Sequence, residues 1–370
     1  MSDKKAGAST KPINLALQGG GSHGAFTWGV LDALLEDGRL TFDSISGTSA
    51  GAMNLAALAS GYTKNGRDGA RESLDQFWHA VAALGSLSPM QRTPWDRLAG
   101  NWSLENSPGY IGFNMLSGVF SPYDLNPLDI NPLRDVIAEQ IDFEAVRNCN
   151  AFNAFVSATN VLNGKVRVFD RDEITIETVM ASACLPTIYK AVEIDGIPYW
   201  DGGFGGNPAL FPFFYKSTVE DCLLVQINPI MRDQVPKTAQ EIADRVNEIT
   251  FNGALLREFR AIEFVRRLKE TGRLEGTEYS SIRMHRIDAD SAVQNLSASS
   301  KLNTELDFLC YMRDLGRAAA LDFLDAHFDA IGVEATLDLS HELDPSILPG
   351  RERPTVSARI QSVLKAHKNR

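Results

Sequence analysis

The chain is poor in cysteine, in positive charge and in long apolar runs, and each shortage removes a class of function. Its four cysteines stand far apart, at Cys149, Cys184, Cys222 and Cys310, with no C-x-x-C pair. That spacing suits buried free thiols in a reducing compartment, not a disulfide framework. No run of 18 apolar residues occurs, so no membrane-spanning helix is predicted. Basic residues number 36 against 47 acidic ones, a net charge of −11. Binding a nucleic-acid backbone needs a basic footprint, so nucleic acid is excluded as a partner. The same balance argues against global attraction to anionic membranes, although a local patch can still act. Met1 to Lys11 is polar and Lys-bearing without an apolar core, so no secretory signal is predicted. The expected location is cytoplasmic, with peripheral membrane contact left open. There is no H-E-x-x-H pattern and no Cys/His cluster, so neither a metal nor another cofactor is expected.

What is present is an ordinary folded composition, 44% hydrophobic and 22% charged over 370 residues, long enough for a large core. Residues 1–12 read as a disordered tail. Ile13 to Leu17 is a compact apolar run ending in Gln18-Gly19-Gly20-Gly21, a buried strand entering a glycine turn. A helix is predicted from near Gly24, with Phe26, Val30 and Leu34 on one face and Gly38 as its stop. A second strand, Phe42 to Ile45, runs into Gly47-Thr48-Ser49-Ala50-Gly51 and an Ala- and Leu-rich helix expected to end before Gly61. A βαβ unit followed by a helix implies a parallel sheet with helices on its faces.

Further strands are predicted at 154–157, 166–169, 197–200 and 223–227, with another option at 281–287. Helices are predicted at 73–84, from the Thr238/Glu241 capping box to about Leu268, and over 304–331. The last two are expected to pack on the sheet. One α/β domain is therefore expected over 13–350, with a helical addition at 237–331. Residues 351–370 form a basic amphipathic helix, either docked or lying on a membrane surface. Residues 86–131 carry five prolines and many apolar residues, among them Trp95, Tyr110, Met115 and Val119. They form a lid or substrate wall, or a loop packed on the core by its own aromatics.

Three short patterns carry chemistry. Gly19-Gly20-Gly21-Ser22-His23-Gly24 leaves backbone N–H groups unobstructed at a helix start. Such a nest holds anions, either a pyrophosphate or the oxyanion of an acyl-transfer intermediate. The dinucleotide reading needs an acid at the end of the second strand, and the chain has Ser46-Gly47-Thr48-Ser49 there. A serine between two glycines on a strand-to-helix turn is the setting of an exposed nucleophile. A histidine base would have to be His79, His285, His327, His341 or His367, and none sits in a glycine-turn setting after a strong strand. Asp201, in Trp200-Asp201-Gly202-Gly203, ends a predicted strand instead. Desolvation would make it an effective base, although Asp-Gly-Gly is also an ordinary turn.

Taken together, the Gly19–Gly24, Gly47–Gly51 and Asp201–Gly203 patterns resemble the three motifs of patatin-like phospholipases. Ala181-Ser182-Ala183-Cys184-Leu185-Pro186 resembles the helix end that precedes the Asp strand in that family. The resemblance spans roughly residues 13–230. It implies a three-layer sandwich around a mostly parallel sheet, a variant of a Ser-hydrolase fold, with added C-terminal helices. It implies fatty-acyl ester hydrolysis of phospholipid or lysophospholipid. Ser49 would be the nucleophile, Asp201 the base, and Gly19, Gly20, Gly21 and Ser22 the oxyanion hole. Gly24, Gly47, Gly51, Gly202 and Gly203 would support the turns. Many members carry Arg or Lys where this chain has His23, which is either a pH-dependent modulator or a packing residue. A general carboxylesterase or acyltransferase using the same serine remains an alternative, as does a non-catalytic lipid- or dinucleotide-binding protein.

Overall fold

The computed structural model describes residues 10–275, 277, 281–288, 296–347 and 356–368. Most of the expected tail (1–9) and residues 351–355 of the C-terminal segment lie outside the described residues. Among the described residues eight strands form one sheet: β1 (Lys11–Leu17), β2 (Leu40–Thr48), β3 (Asn153–Asn160), β4 (Val166–Asp170), β5 (Val192–Ile194), β6 (Ile197–Asp201), β7 (Asp221–Gln226) and β8 (Arg283–Asp288). Their order is β5-β6-β3-β2-β1-β7-β8, with β4 also on β3. The run β3-β2-β1-β7-β8 is parallel throughout. The strands β4, β5 and β6 add an antiparallel edge.

The alternation of strand side chains sorts the core into two layers. Ile13, Leu15 and Leu17 of β1 face one cluster, shared with helices α1 (Gly24–Asp37) and α2 (Ala50–Gly85). Ala16 faces the other, with Leu255, Phe259 and Ile262 of a long C-terminal helix (Ala239–Glu270). Helices on both faces of a largely parallel sheet make the expected three-layer α/β sandwich.

Several boundaries differ from the sequence reading. Strand β1 begins at Lys11, inside the expected tail, because Lys11 Nζ is held by the carbonyls of Phe328 (2.9 Å) and Ile331 (2.7 Å). Gly61 does not end its helix; α2 continues to a break at Asn65–Gly66, where Gly66 has φ 56°. The predicted helix at 73–84 is the second half of α2. Downstream, α3 (Ile176–Ser182) precedes β5 and β6, and α4 (Ala239–Glu270) opens with the expected capping box. The next helix, α5 (Leu306–His327), packs on α1 as well as near the sheet, with Gly29 set against the Arg313 carbonyl and Gly316 against that of Phe26. Strand β8 pairs with β7, so the 237–331 addition includes a strand of the central sheet.

The final helix, α6 (Ala358–Lys368), is docked. Ile360, Val363 and Leu364 pack on the main cluster, and Arg359 reaches Asp322 (2.9 Å) and Asp325 (2.7 Å) of α5. Among the described residues no helix is long and apolar enough to cross a membrane.

The 86–131 segment carries short helices, Pro94–Leu98, Pro108–Ser117 and Pro122–Leu125, each with proline at its start. Trp102 anchors it by stacking on Tyr311 with ring centres 5.3 Å apart. Trp102, Leu104 and Tyr110 pack the segment down, whereas Trp95, Met115 and Val119 are 80%, 71% and 78% exposed.

Candidate active site

Register alone brings the two expected residues together. Thr48, the last residue of β2, pairs with Ser157 of β3. Asp201, the last residue of β6, pairs with Ala158, the next residue along β3. Ser49 and Asp201 therefore leave the sheet at the same level, at the carboxyl ends of the parallel strands, where open α/β sheets place their sites.

Ser49 caps α2 with φ 54° and ψ −121°, a conformation a non-glycine residue adopts only under constraint. Three contacts impose it. Its N–H donates to Ser182 Oγ at 2.8 Å. Its carbonyl accepts the N–H groups of Ala52 (2.9 Å) and Met53 (3.1 Å), which starts the helix. Gly51 sits so close to the Leu17 carbonyl that any side chain there would collide with backbone. The same holds at Gly47, which faces the Gly51 carbonyl. Ser49 is 8% exposed, so the site is nearly closed to solvent.

Asp201 is fully buried. Its Oδ1 accepts the Gly203 N–H at 2.7 Å, and its own N–H donates to the Cys184 carbonyl at 2.8 Å. Gly202 abuts the Ser157 carbonyl and Gly203 the Phe251 ring, so the turn has no room for side chains. Burial pushes the Asp201 carboxyl up to about 7, against smaller opposing pulls from the Gly203 N–H and the Ser49 side chain. Among the described residues no hydrogen bond closes on Oδ2, although Ser49 lies near enough to favour the charged form. Loose contacts of this kind are common before substrate binds.

The glycine turn lies against the serine turn: a Cβ on Gly19 would fall 2.5 Å from Ser49 Cβ. Asn54 ties the two helix starts together, donating to the carbonyls of Gly24 and Ala50 at 3.0 Å each. Gly19 itself is clamped on both sides. Its N–H donates to Asn207 Oδ1 at 2.7 Å, and its carbonyl accepts Asn228 Nδ2 at 2.6 Å. The Gly19 N–H is thus spoken for, contrary to its expected place among the oxyanion donors. Among the described residues, no acceptor takes the N–H of Gly20 or Gly21.

His23 is buried, and its Nε2 lies 2.7 Å from Ser300 Oγ. Burial, and then the nearby Lys301 and Arg232 charges, hold its pKa well below 6.5. It is neutral at pH 7, as a packing residue with a structural hydrogen bond would be. Among the described residues no histidine bonds Ser49 or Asp201. His285 instead bonds Asp221 at 3.0 Å, near the amino ends of β7 and β8 and away from the site.

Sequence reasoning overlooked Asn207 and Asn228 as clamps and Ser182 as the acceptor for Ser49. Asn228 had a usable signal, a polar residue just past the apolar run of β7, at the site end of the sheet. Asn207 follows Gly205-Gly206 and had none beyond that.

The family model for patatin-like phospholipase matches residues 15–214. That span is more than half of the 370-residue chain and contains both turns and Asp201. This chain belongs to the patatin-like phospholipase family. Membership makes this patatin-like protein a serine ester hydrolase acting on lipid. Comparison with curated protein sequences finds no match. Among solved structures, VipD from Legionella pneumophila is 15% identical, covering 88% of this patatin-like chain and 70% of its own, at a TM-score of 0.41. ExoU of Pseudomonas aeruginosa, solved full-length with SpcU from the type III secretion system, is 14% identical. That match covers 96% of this chain and 77% of its own, at a TM-score of 0.29.

Proposed function

We propose that this protein cleaves fatty-acyl esters of phospholipids or lysophospholipids through an acyl-Ser49 intermediate, with Asp201 as the only side-chain base. The observation that carries the reading is a strained serine at the level of a buried carboxylate whose pKa sits at about 7. Ionised Asp201 takes the Ser49 proton as Oγ bonds to the ester carbonyl carbon. The carbonyl oxygen becomes an oxyanion, received by the N–H groups of Gly20, Gly21 and Ser22. Collapse breaks the ester C–O bond, and Asp201 returns the proton to the departing alcohol. Water then gives a proton to Asp201 and attacks the acyl-serine. Fatty acid leaves, and the proton goes back to Ser49.

Lipid, more than a small soluble ester, is favoured by the surface beside the site. Lys190 Nζ holds the Pro127 carbonyl at 2.9 Å, and Tyr123 Oη accepts the Ala191 N–H at 3.3 Å. These bonds fix the exposed apolar segment to the loop that follows Cys184, the residue that holds the Asp201 N–H. The segment then serves as substrate wall and peripheral membrane contact.

Fatty-acid release from phosphatidylcholine vesicles, set beside hydrolysis of a soluble p-nitrophenyl ester, tests this. Wild type should hydrolyse both. The double variant Met115→Glu, Val119→Glu should lose about tenfold or more on vesicles and keep its soluble-ester rate. Equal loss on both substrates, or none on vesicles, would sink the wall reading. No release from any phospholipid or lysophospholipid would sink the lipid assignment.

A further inference from the structure

Lys301 stands outside the family match, in the C-terminal third, yet it reaches the glycine turn from two directions. It lies in the short turn Ala298–Leu302, and its carbonyl presses on Gly21, which has φ 59° and no room for a side chain. Its ammonium donates to Asn228 Oδ1 at 2.8 Å. With its oxygen turned to the ammonium, the Asn228 amide must present its NH2 to the loop. There it donates to the Gly19 carbonyl at 2.6 Å and to Gln18 Oε1 at 3.3 Å. The preceding residue, Ser300, meets His23 at 2.7 Å. One turn of the C-terminal third therefore braces Gly19, Gly21 and His23 together.

The ammonium of Lys301 feels the fields of Glu248 and Asp244 without a contact ion pair. Among the described residues no carboxylate contacts its ammonium. Glu248, the acid whose field it feels most, is already paired with Arg232 and Arg245. His23 is neutral, so it contributes no cation to the turn. Burial lowers the Lys301 pKa, against the pull of Glu248 and Asp244. While protonated, its ammonium is a positive charge behind a nest of N–H groups and favours negative charge developing in front of it.

We propose that Lys301 is a positioning residue for ester hydrolysis: through Asn228 it fixes the Gly19–Gly21 turn, and its ammonium supplies the positive field that favours the oxyanion. This rests on the Ser49 reading above. It makes the C-terminal third part of the reaction centre.

The test compares wild type, Lys301→Met, Lys301→Arg, Asn228→Ala and the Met/Ala double variant on a soluble p-nitrophenyl ester, with thermal melts for each. Rates of labelling by a fluorophosphonate are measured in parallel; serine displaces its fluoride through a transition state with negative charge on the phosphoryl oxygen and leaves a neutral tetrahedral phosphonyl adduct. Lys301→Met should lower kcat by about 10- to 100-fold with KM within about threefold, and slow labelling in proportion. Lys301→Arg should recover most of the rate. Asn228→Ala should behave like Lys301→Met, and the double variant should lose little more than either, as residues acting in one chain do. Should Lys301→Met not fold, Lys301→Gln carries the same comparison. A folded Lys301→Met with wild-type kcat overturns the proposal. So does a loss that tracks the melting temperature and is not recovered by Arg. Wild type that does not label overturns the Ser49 reading and this proposal with it. Wild type and Lys301→Met labelling at one rate overturn this proposal alone.

Discussion

Replacing Asp201 with Asn should abolish ester hydrolysis and at the same time stabilise the protein above pH 7. The two effects share one cause. An ordinary Asp titrates near 3.8, and burial raises this one to about 7. A carboxyl whose folded-state pKa is raised binds its proton more tightly folded than unfolded. Wild-type stability therefore falls as pH rises from about 4 through 7, and levels once the buried group is ionised. The loss is on the order of 4 kcal/mol, at 1.36 kcal/mol for each pKa unit. Asn carries no charge and keeps an oxygen for the Gly203 N–H. Melting curves of the two proteins should nearly coincide at pH 4 and separate by several degrees at pH 8, with the variant higher. Activity runs the other way. Only ionised Asp201 can take the Ser49 proton, so wild-type kcat/KM should rise with an apparent pKa near 7. The variant should lose on the order of a thousandfold. Melts that coincide at every pH would remove the buried charge from the account. Retained turnover in folded Asp201→Asn would remove the base.

Gly51→Ala should cost both stability and activity, through one methyl group. Gly51 lies in the first turn of α2 with its Cα against the Leu17 carbonyl, and a Cβ there would meet backbone on both Leu17 and Gln18. Backbone cannot rotate aside as a side-chain end does. The start of α2 must move away from β1, and it takes Ser49 with it. Overpacking of this kind costs roughly 1–3 kcal/mol or more. The displaced nucleophile should cost at least about a hundredfold in kcat, since small misplacements of reacting groups are expensive. Chemical denaturation and soluble-ester kinetics on the same preparation measure both. A folded Gly51→Ala with wild-type turnover would show that the serine turn does not depend on this contact.

The legible parts of this chain were those written in local pattern. The strand-turn-helix units around Gly19–Gly24 and Gly47–Gly51, and the strand ending at Asp201, rest on short-range apolar periodicity and turn chemistry. What stayed hidden depends on contacts across long stretches of chain. Asn207 and Asn228 meet Gly19 only after the sheet has assembled, and nothing near either residue announces the partner. Gly61 reads locally as a helix stop, but it serves the close packing of the two halves of α2, where it faces Gly69. The crossing of α1 and α5 through Gly29 and Gly316 is equally non-local. In the 86–131 segment, pattern could not tell which apolar residues pack down and which stay exposed. Burial decides that, and burial is a tertiary property.

The pairing of Ser49 with Asp201 is tested most directly by finding where a serine-reactive phosphonylating probe attaches. Folded wild type is treated with a fluorophosphonate at pH 8, and the modified peptide is identified by mass spectrometry. A single adduct should form on Ser49. It should be absent from Ser49→Ala and should form at least about a hundredfold more slowly in folded Asp201→Asn. An adduct on another serine, or labelling of Asp201→Asn at the wild-type rate, would contradict the two-residue centre.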